Sequence, residues 1–361
     1  METSPFRYQG PLAPDEVHGR GALLAELTER VTEHRVTALL GPRRFGKTSV
    51  LRRLAHDLTE VSTVAVDLFG VQTYADIVLR LAAAMQEAVP EVRDRAYELS
   101  AAAGIDLAGL RAQLQLTPRK RPDPRMLYTE LVEMLVTVGQ RTPLLAVFDE
   151  FQSIAAVTGA TAVLRTHLQH HYDRIGLLFA GSAPSAMRDI FTRHEQPFFN
   201  QADLVEIPPL DPAAVHAIVT DGFRATGRDP GGVASSIFAF TAGHPQRTMR
   251  AADVAWRHTG PDDIADQRWG AALTALRTAE SATLAATYAE LAGDERKVLR
   301  VYAHGGAVFG AAAERLELSA GGAAHARQRL LADGKLRTDE GGDVVVTDPL
   351  LADWLRQTLP I

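Results

Sequence analysis

Apolar positions fall into two kinds of stretch along this chain. Apolar runs occur at VTALL (36–40), LLAVFDE (144–150, after Pro143) and RIGLLFAGS (174–182), with an alternating-to-apolar run at VSTVAVDLF (61–69) and a short one at DLVEI (203–207) before Pro208-Pro209. Such runs read as strands buried on both faces of a parallel sheet. Between them the apolar residues recur at helical spacing, predicting helices over 48–60, 74–88, 126–140, 160–171 and 184–192. Strand-helix alternation of this kind implies a doubly wound, three-layer α/β core. The spacing leaves room for a strand between 36–40 and 144–150, and 174–182 is the candidate.

Beyond Pro209 the pattern changes. Ala-rich helical stretches are broken by ATGRDPGG (225–232) and HTGPDD (258–263), predicting an all-helical region over about 210–262 and a connecting helix near 268–291. Next come DERKVLRVYAHG, AAAERLEL and AAHARQRLLADG, read as three short helices, the third ending at Gly334. KLRTDEGGDVVVTD then offers two short strands around the turn Asp339-Glu340-Gly341-Gly342. Three helices and a hairpin make a winged helix.

The first apolar run leads into Gly41-Pro42-Arg43-Arg44-Phe45-Gly46-Lys47-Thr48, which fits G-x-x-x-x-G-K-[ST], and an amphipathic stretch follows. A strand, a glycine loop and a helix N-terminus in that order bring backbone N–H groups and the helix dipole to bear on phosphate oxygens. Gly41 to Ser49 are therefore the candidate phosphate cradle. Lys47 is placed for the β/γ-phosphates and Thr48 for Mg²⁺. The run at 144–150 ends in Asp149-Glu150, where open α/β sheets keep their ligands. Asp149 is the second candidate Mg²⁺ ligand, and Glu150 the candidate base that orients water. Asp-Glu at a strand end also fits a helix N-cap with its first acid. Ser182 closes the run at 174–182 and reads either as a polar sensor of the γ-phosphate or as the N-cap of 184–192.

Composition excludes more than it adds. The chain has 361 residues, 46% of them hydrophobic, no cysteine and a net charge of −6. Disulfides, thiolate metal sites and a cysteine nucleophile are ruled out. No run reaches the length of a spanning helix, and METSPFRYQG lacks the order of a signal peptide, so a cytoplasmic home and no membrane partner are expected. The acidic balance argues against coating nucleic acid by bulk charge.

The segments GPRRFGKTS, FDEFQSI, AGSAPSAM and TAGHPQR together resemble the archaeal-type ATPases of the STAND branch of AAA+-related P-loop NTPases. The resemblance runs from about Gly10 to the C-terminus. It implies ATP and Mg²⁺ as cofactors, slow ATP hydrolysis and a helical lid after the sheet. It divides the chain into an N-terminal segment and helix (1–34), a P-loop NTPase core (35–209), a lid with connecting helix (210–290) and a winged-helix domain (291–361). His18-Gly19-Arg20 matches the family's Gly-Arg element, which puts Arg20 near the nucleotide. Thr241-Ala242-Gly243-His244-Pro245 matches the lid's G-x-P element, which brings His244 and Pro245 to the adenine and ribose; a helix C-cap glycine before a proline stop fits the same residues. Arg247 just beyond is placed to act as a lid arginine on the phosphates. Where relatives often carry Gly-Arg before the last strand, this chain has Phe199-Asn200-Gln201, leaving Arg193 as the nearest substitute for a finger arginine.

The partners expected are ATP and ADP, an unidentified protein, DNA as a candidate through the winged helix, and further copies of the chain. Residues 291–361 carry nine basic and ten acidic side chains, a balance unlike that of a DNA reader. Arg327 and Arg329, with His325, lie on the third helix, but two positions apart they cannot both face one groove. TPRKRPDPR (117–125) reads as a solvated basic loop. His167 and His171 have i, i+4 metal-ligand spacing but no acidic or thiol third ligand. Two other readings stay open: a DNA-loading AAA+ ATPase similar to origin-recognition initiators, and a nucleotide-gated scaffold with little hydrolysis.

Overall fold

A computed structural model describes residues 2–102, 122–339 and 341–361. Residues 117–121 of the basic stretch and Glu340 of the hairpin turn lie outside them. The first half runs α1 (Gly21–Thr32), β1 (Thr37–Leu40), α2 (Lys47–Asp57), β2 (Ser62–Asp67), α3 (Tyr74–Ala88), α4 (Arg93–Ala102), α5 (Pro124–Gly139), β3 (Leu144–Asp149), α6 (Ala160–Leu168), β4 (Ile175–Gly181), α7 (Pro184–Thr192) and β5 (Asp203–Glu206). The five strands pair in the order β2-β3-β4-β1-β5, all parallel. β4 thus lies between the strand leading to the P-loop and the strand ending in Asp149, as its apolar run predicts.

Alternation along β1 builds the layers. Ala38 and Leu40 face one side, packing with Leu81 of α3, Leu131 of α5 and Leu164 of α6. Leu39 faces the other, with Leu27 of α1 and Leu54 of α2. The sheet is covered on both faces, which is what a parallel sheet requires. Phe148, Phe151, Phe179, Phe191 and Phe198 form a ring cluster on the first side, with centroids from 4.4 to 6.1 Å apart. It fixes the chain leaving β3.

The second half is helical: α8 (Pro212–Ala225), α9 (Val233–Thr241), α10 (Pro245–Arg257) and α11 (Ala265–Ala289). Then follow α12 (Gly293–Ala303), α13 (Ala311–Arg315), α14 (Ala320–Ala332), the antiparallel pair β6 (Leu336–Thr338) and β7 (Val344–Val346), and α15 (Pro349–Thr358). Three helices and a hairpin appear in the expected order. One apolar cluster runs through all of this half, from Val219 and Trp256 through Leu276 and Leu284 to Leu299, Leu330 and Leu350. Phe6 joins that cluster, its ring 5.6 Å from Phe223, so the N-terminal segment lies against the helical region. Among the described residues no helix is long and apolar enough to cross a membrane.

Two details differ from the sequence reading. Helix α6 ends at Leu168, not at 171, so His171 lies past its end and shares no helical face with His167. Among the described residues no cluster of three or more His, Cys, Asp or Glu is arranged to hold a metal. Helix α15 follows the hairpin stretch, in residues to which the sequence reading assigned no element. Asp348 is its N-cap, accepting from the Leu350 and Leu351 amides, and Pro349 suits its first turn.

Candidate functional site

The loop between β1 and α2 is shaped by its glycines. Gly46 is the N-cap of α2 at φ 88°, a left-handed conformation that glycine adopts without penalty. A Cβ there would meet no atom within 4 Å, so the loop is open on that side. Gly41 is required for another reason: a Cβ would stand 2.2 Å from Ile207 Cγ2 after β5. Arg44 also sits at positive φ, 69°, without glycine's freedom, which marks a tightly determined turn. The side chain of Arg43 lies over the ring of Phe69, 5.6 Å from its centroid.

Lys47 is buried, and its Nζ donates to the carbonyls of Gly41 and Pro42 at 2.7 and 2.9 Å. Burial pulls its pKa down to about 8, against the opposing pull of Glu150 and Asp149. Thr48 Oγ1 donates to Asp149 Oδ2 at 2.8 Å across the junction of α2 and β3. Burial raises the Asp149 carboxyl above the usual carboxylate range, partly offset by that hydrogen bond. Two oxygen donors this close, one a carboxylate, suit a hard cation such as Mg²⁺.

Glu150 is at φ 53° and opens a 3₁₀ turn over Phe151–Ala156 without capping it by its side chain. The helix-cap alternative therefore does not describe it. Ser182 Oγ donates to Glu150 Oε2 at 2.7 Å, and Gln152 Nε2 donates to the same oxygen. The N-cap of α7 is Ala183, not Ser182. Lys47, Thr48, Asp149, Glu150 and Ser182, spread over 136 positions of sequence, thus meet at the C-terminal ends of the strands.

Beside the loop opens a cleft of about 500 Å³. Arg20, Arg44, Phe45, Gly46 and Ser49 line one side and Pro245 with Gln246 another. Tyr8, Val17, Ile218 and Met249 supply aromatic and apolar wall that the sequence reading did not single out. The N-terminal segment carries no periodicity to reveal it, and its position comes from long-range bonds. The Leu12 amide donates to Ser49 Oγ at 3.0 Å, Arg53 Nη1 to the Pro14 carbonyl at 2.9 Å, and Arg250 Nη1 to Tyr8 Oη at 2.9 Å. The Arg250 guanidinium also lies 4.6 Å from the Tyr8 ring centroid, a cation-π contact.

Arg20 borders this cleft but uses its guanidinium structurally, donating to the carbonyls of Pro208 at 2.7 Å and Phe45 at 3.2 Å. Burial brings its pKa down to about 10, with Asp211 pulling the other way. His244 is buried with its ring 4.9 Å from that of Phe45, edge to face. It is the N-cap of α10, Nδ1 accepting from the Arg247 amide. Ala242 at φ 46° and Gly243 at φ 71° form the left-handed end of α9, so the helix-stop reading of these residues holds, and of the expected His244 and Pro245 it is Pro245 that lines the cleft. A Cβ on Gly243 would fall 2.0 Å from the Leu210 carbonyl oxygen.

Arg247 is placed differently from the expectation. Its guanidinium is bound by Asp348, at 2.9 Å from Nε to Oδ1 and 2.5 Å from Nη2 to Oδ2, and by Glu280 at 3.3 Å. The physical reason is the half-buried pair of carboxylates, Glu280 of α11 and the α15 N-cap Asp348, between which the buried guanidinium is held. Arg193 is the C-cap of α7, 62% exposed and paired with Asp189 at 2.8 Å. On α14, Arg327 donates to Tyr302 Oη at 2.9 Å and Arg329 pairs with Glu295 at 2.8 Å. The end domain also comes close to the loop: a methyl group on Gly334 would lie 3.6 Å from Pro42 Cα and 3.5 Å from Pro184 Cδ.

A parallel sheet with the glycine loop, the Thr48–Asp149 bond and Glu150 at the C-terminal ends of its strands defines the core as a P-loop NTPase α/β fold. Residues 30–186 match the family model described as "AAA domain". No curated protein matches the chain. Among solved structures it is similar to a Walker-type ATPase of Pyrococcus abyssi, at 18% identity and TM-score 0.71, over 98% of this chain and 99% of that one. It is also similar to the Orc1 protein of Aeropyrum pernix, solved in complex with DNA, at 15% identity and TM-score 0.50, over 95% and 93% of the two chains. At these identities the likeness is one of fold.

Proposed function

We propose that this chain binds Mg·ATP in the cleft and hydrolyses it slowly, as a STAND-type switch whose lid and winged-helix end domain follow the nucleotide. The reading assigns the base to the wall of Tyr8, Val17, Ile218, Met249 and Pro245, and the phosphates to Gly41–Ser49. Lys47, relocated from the Gly41 and Pro42 carbonyls, stabilises the transferred charge. Thr48 and Asp149 would hold Mg²⁺, which when bound would neutralise phosphate charge. Glu150 takes up and orients water, with Ser182 bonded to it. The domain limits 1–34, 35–209, 210–290 and 291–361 belong to this reading.

The observation that carries the switch is the closeness of the end domain to the loop itself, with Gly41, Pro42, Leu331 and Gly334 lining one cavity. Gly334, closing α14, lies close to Pro42, so a loop that reshapes around phosphates alters the seat of the end domain. Arg247, joining the lid to Asp348, transmits lid movement to α15.

Replacing Glu150 by Gln tests the reading. Mg·ATP should bind as in the native chain while turnover falls by about 10²-fold or more, the worth of a positioned base. Hydrogen exchange at α14 and the hairpin should then differ between the ATP-held variant and the ADP form. Unchanged hydrolysis would remove Glu150 from its role, and identical exchange would remove the switch.

A further inference from the structure

Glu150 leaves β3 at a left-handed φ of 53°. Two neutral donors from different elements converge on its Oε2: Ser182 Oγ from the end of β4, and Gln152 Nε2 from the 3₁₀ turn that Glu150 itself begins. Among the described residues no hydrogen bond reaches Oε1.

Gln152 is held in place from behind. Its neighbour Phe151 is fully buried, with its ring 4.4 Å from Phe179 and 5.7 Å from Phe198. The turn is pinned further by the Ser153 amide donating to the Glu150 carbonyl at 2.9 Å. Gly181 leaves the space that the amide occupies, since a Cβ there would fall 2.3 Å from Gln152 Oε1. That Oε1 is buried without a hydrogen-bond partner. An unpaired buried amide oxygen is unfavourable by about 1–3 kcal/mol, so packing alone does not account for a glutamine at this position.

We propose that Gln152 is a positioning residue for Glu150. Together with Ser182 it occupies Oε2 and leaves Oε1 as the oxygen that meets water. Being neutral, it orients the carboxylate without bringing a counter-charge to it. The inference rests on the reading of Glu150 as the group that orients water.

The test uses the full chain with Gln152→Met, which keeps length and volume but has no donor, and Gln152→Glu, which keeps length and polarity but sets a second carboxylate beside Glu150. Both should lower kcat, Met by about tenfold and Glu by more, with KM for ATP and affinity for ADP within about twofold of native. A packing role would be met about equally by both variants and would move KM and kcat together. Combining Gln152→Met with Ser182→Ala should cost less than the product of the two single losses, because both donors hold one oxygen. A native kcat in Gln152→Met, while Glu150→Gln is inactive, overturns the inference alone. An active Glu150→Gln overturns it together with the reading it rests on.

Discussion

Acid should loosen the lid half of this protein through one histidine. His244 is buried between the P-loop and the lid, and burial lowers its pKa from 6.5 to about 4; Arg247 and Arg44 push in the same direction and Asp348 opposes them. In the folded chain the ring is neutral at pH 5, whereas in the unfolded chain it is mostly protonated. The unfolded state therefore binds more protons between about pH 6.5 and 4, and stability falls as pH falls through that window. The displacement from 6.5 to about 4, at about 1.36 kcal/mol per pH unit, amounts to roughly 3 kcal/mol by pH 4 and about 2 kcal/mol at pH 5. Trp256, Trp269 and Trp354, the chain's three tryptophans, all lie in the helical half. Urea unfolding followed by tryptophan fluorescence at pH 7 and pH 5 thus reads the right region. His244→Asn keeps a capping acceptor but cannot titrate. It should lose about 2 kcal/mol less than the native chain over that interval, whatever its stability at pH 7. Parallel losses in the two proteins would refute the reasoning.

Arg247→Ala removes the partner of the half-buried Asp348, which keeps its bonds to the α15 amides, and should lower the stability of the same transition by about 1–3 kcal/mol. ATP turnover, followed by phosphate release, should fall more in Arg247→Ala than in Arg193→Ala. Equal, negligible effects of both would count against a coupling arginine in the lid. With Arg327 and Arg329 engaged within the end domain, duplex DNA should bind weakly, with a salt slope of about one to three counterions. Fluorescence anisotropy across a salt series checks this, and sub-micromolar binding at physiological salt would contradict it.

The sheet, its helices and the meeting of Lys47, Thr48, Asp149 and Glu150 were legible because they depend on local signals: buried runs of period-free apolar residues, a glycine loop, a carboxylate pair at a strand end. Ser182 remained ambiguous in sequence, since a serine before Pro184 satisfies both sensor and cap; in the structure the cap is Ala183 and the serine donates to Glu150. The N-terminal wall of the cleft was not legible. Tyr8 and Val17 have no period and acquire their position through Ser49, Arg53 and Arg250, partners 37 or more residues away in the bonds that fix them. Arg247 shows the converse limit. Its place two residues after Pro245 suggested the phosphates, but Asp348 lies 101 residues further along and captures it, a competition no local pattern reveals.

The central claim is that the loop at Gly41–Thr48 binds Mg·ATP through Lys47. Calorimetric titration of Mg·ATP into the native chain and into Lys47→Ala, both verified as folded by circular dichroism, tests it most directly. The account predicts saturable one-site binding to the native chain and none to the variant. Native-like ATP affinity in Lys47→Ala, or no binding to either protein, would contradict it.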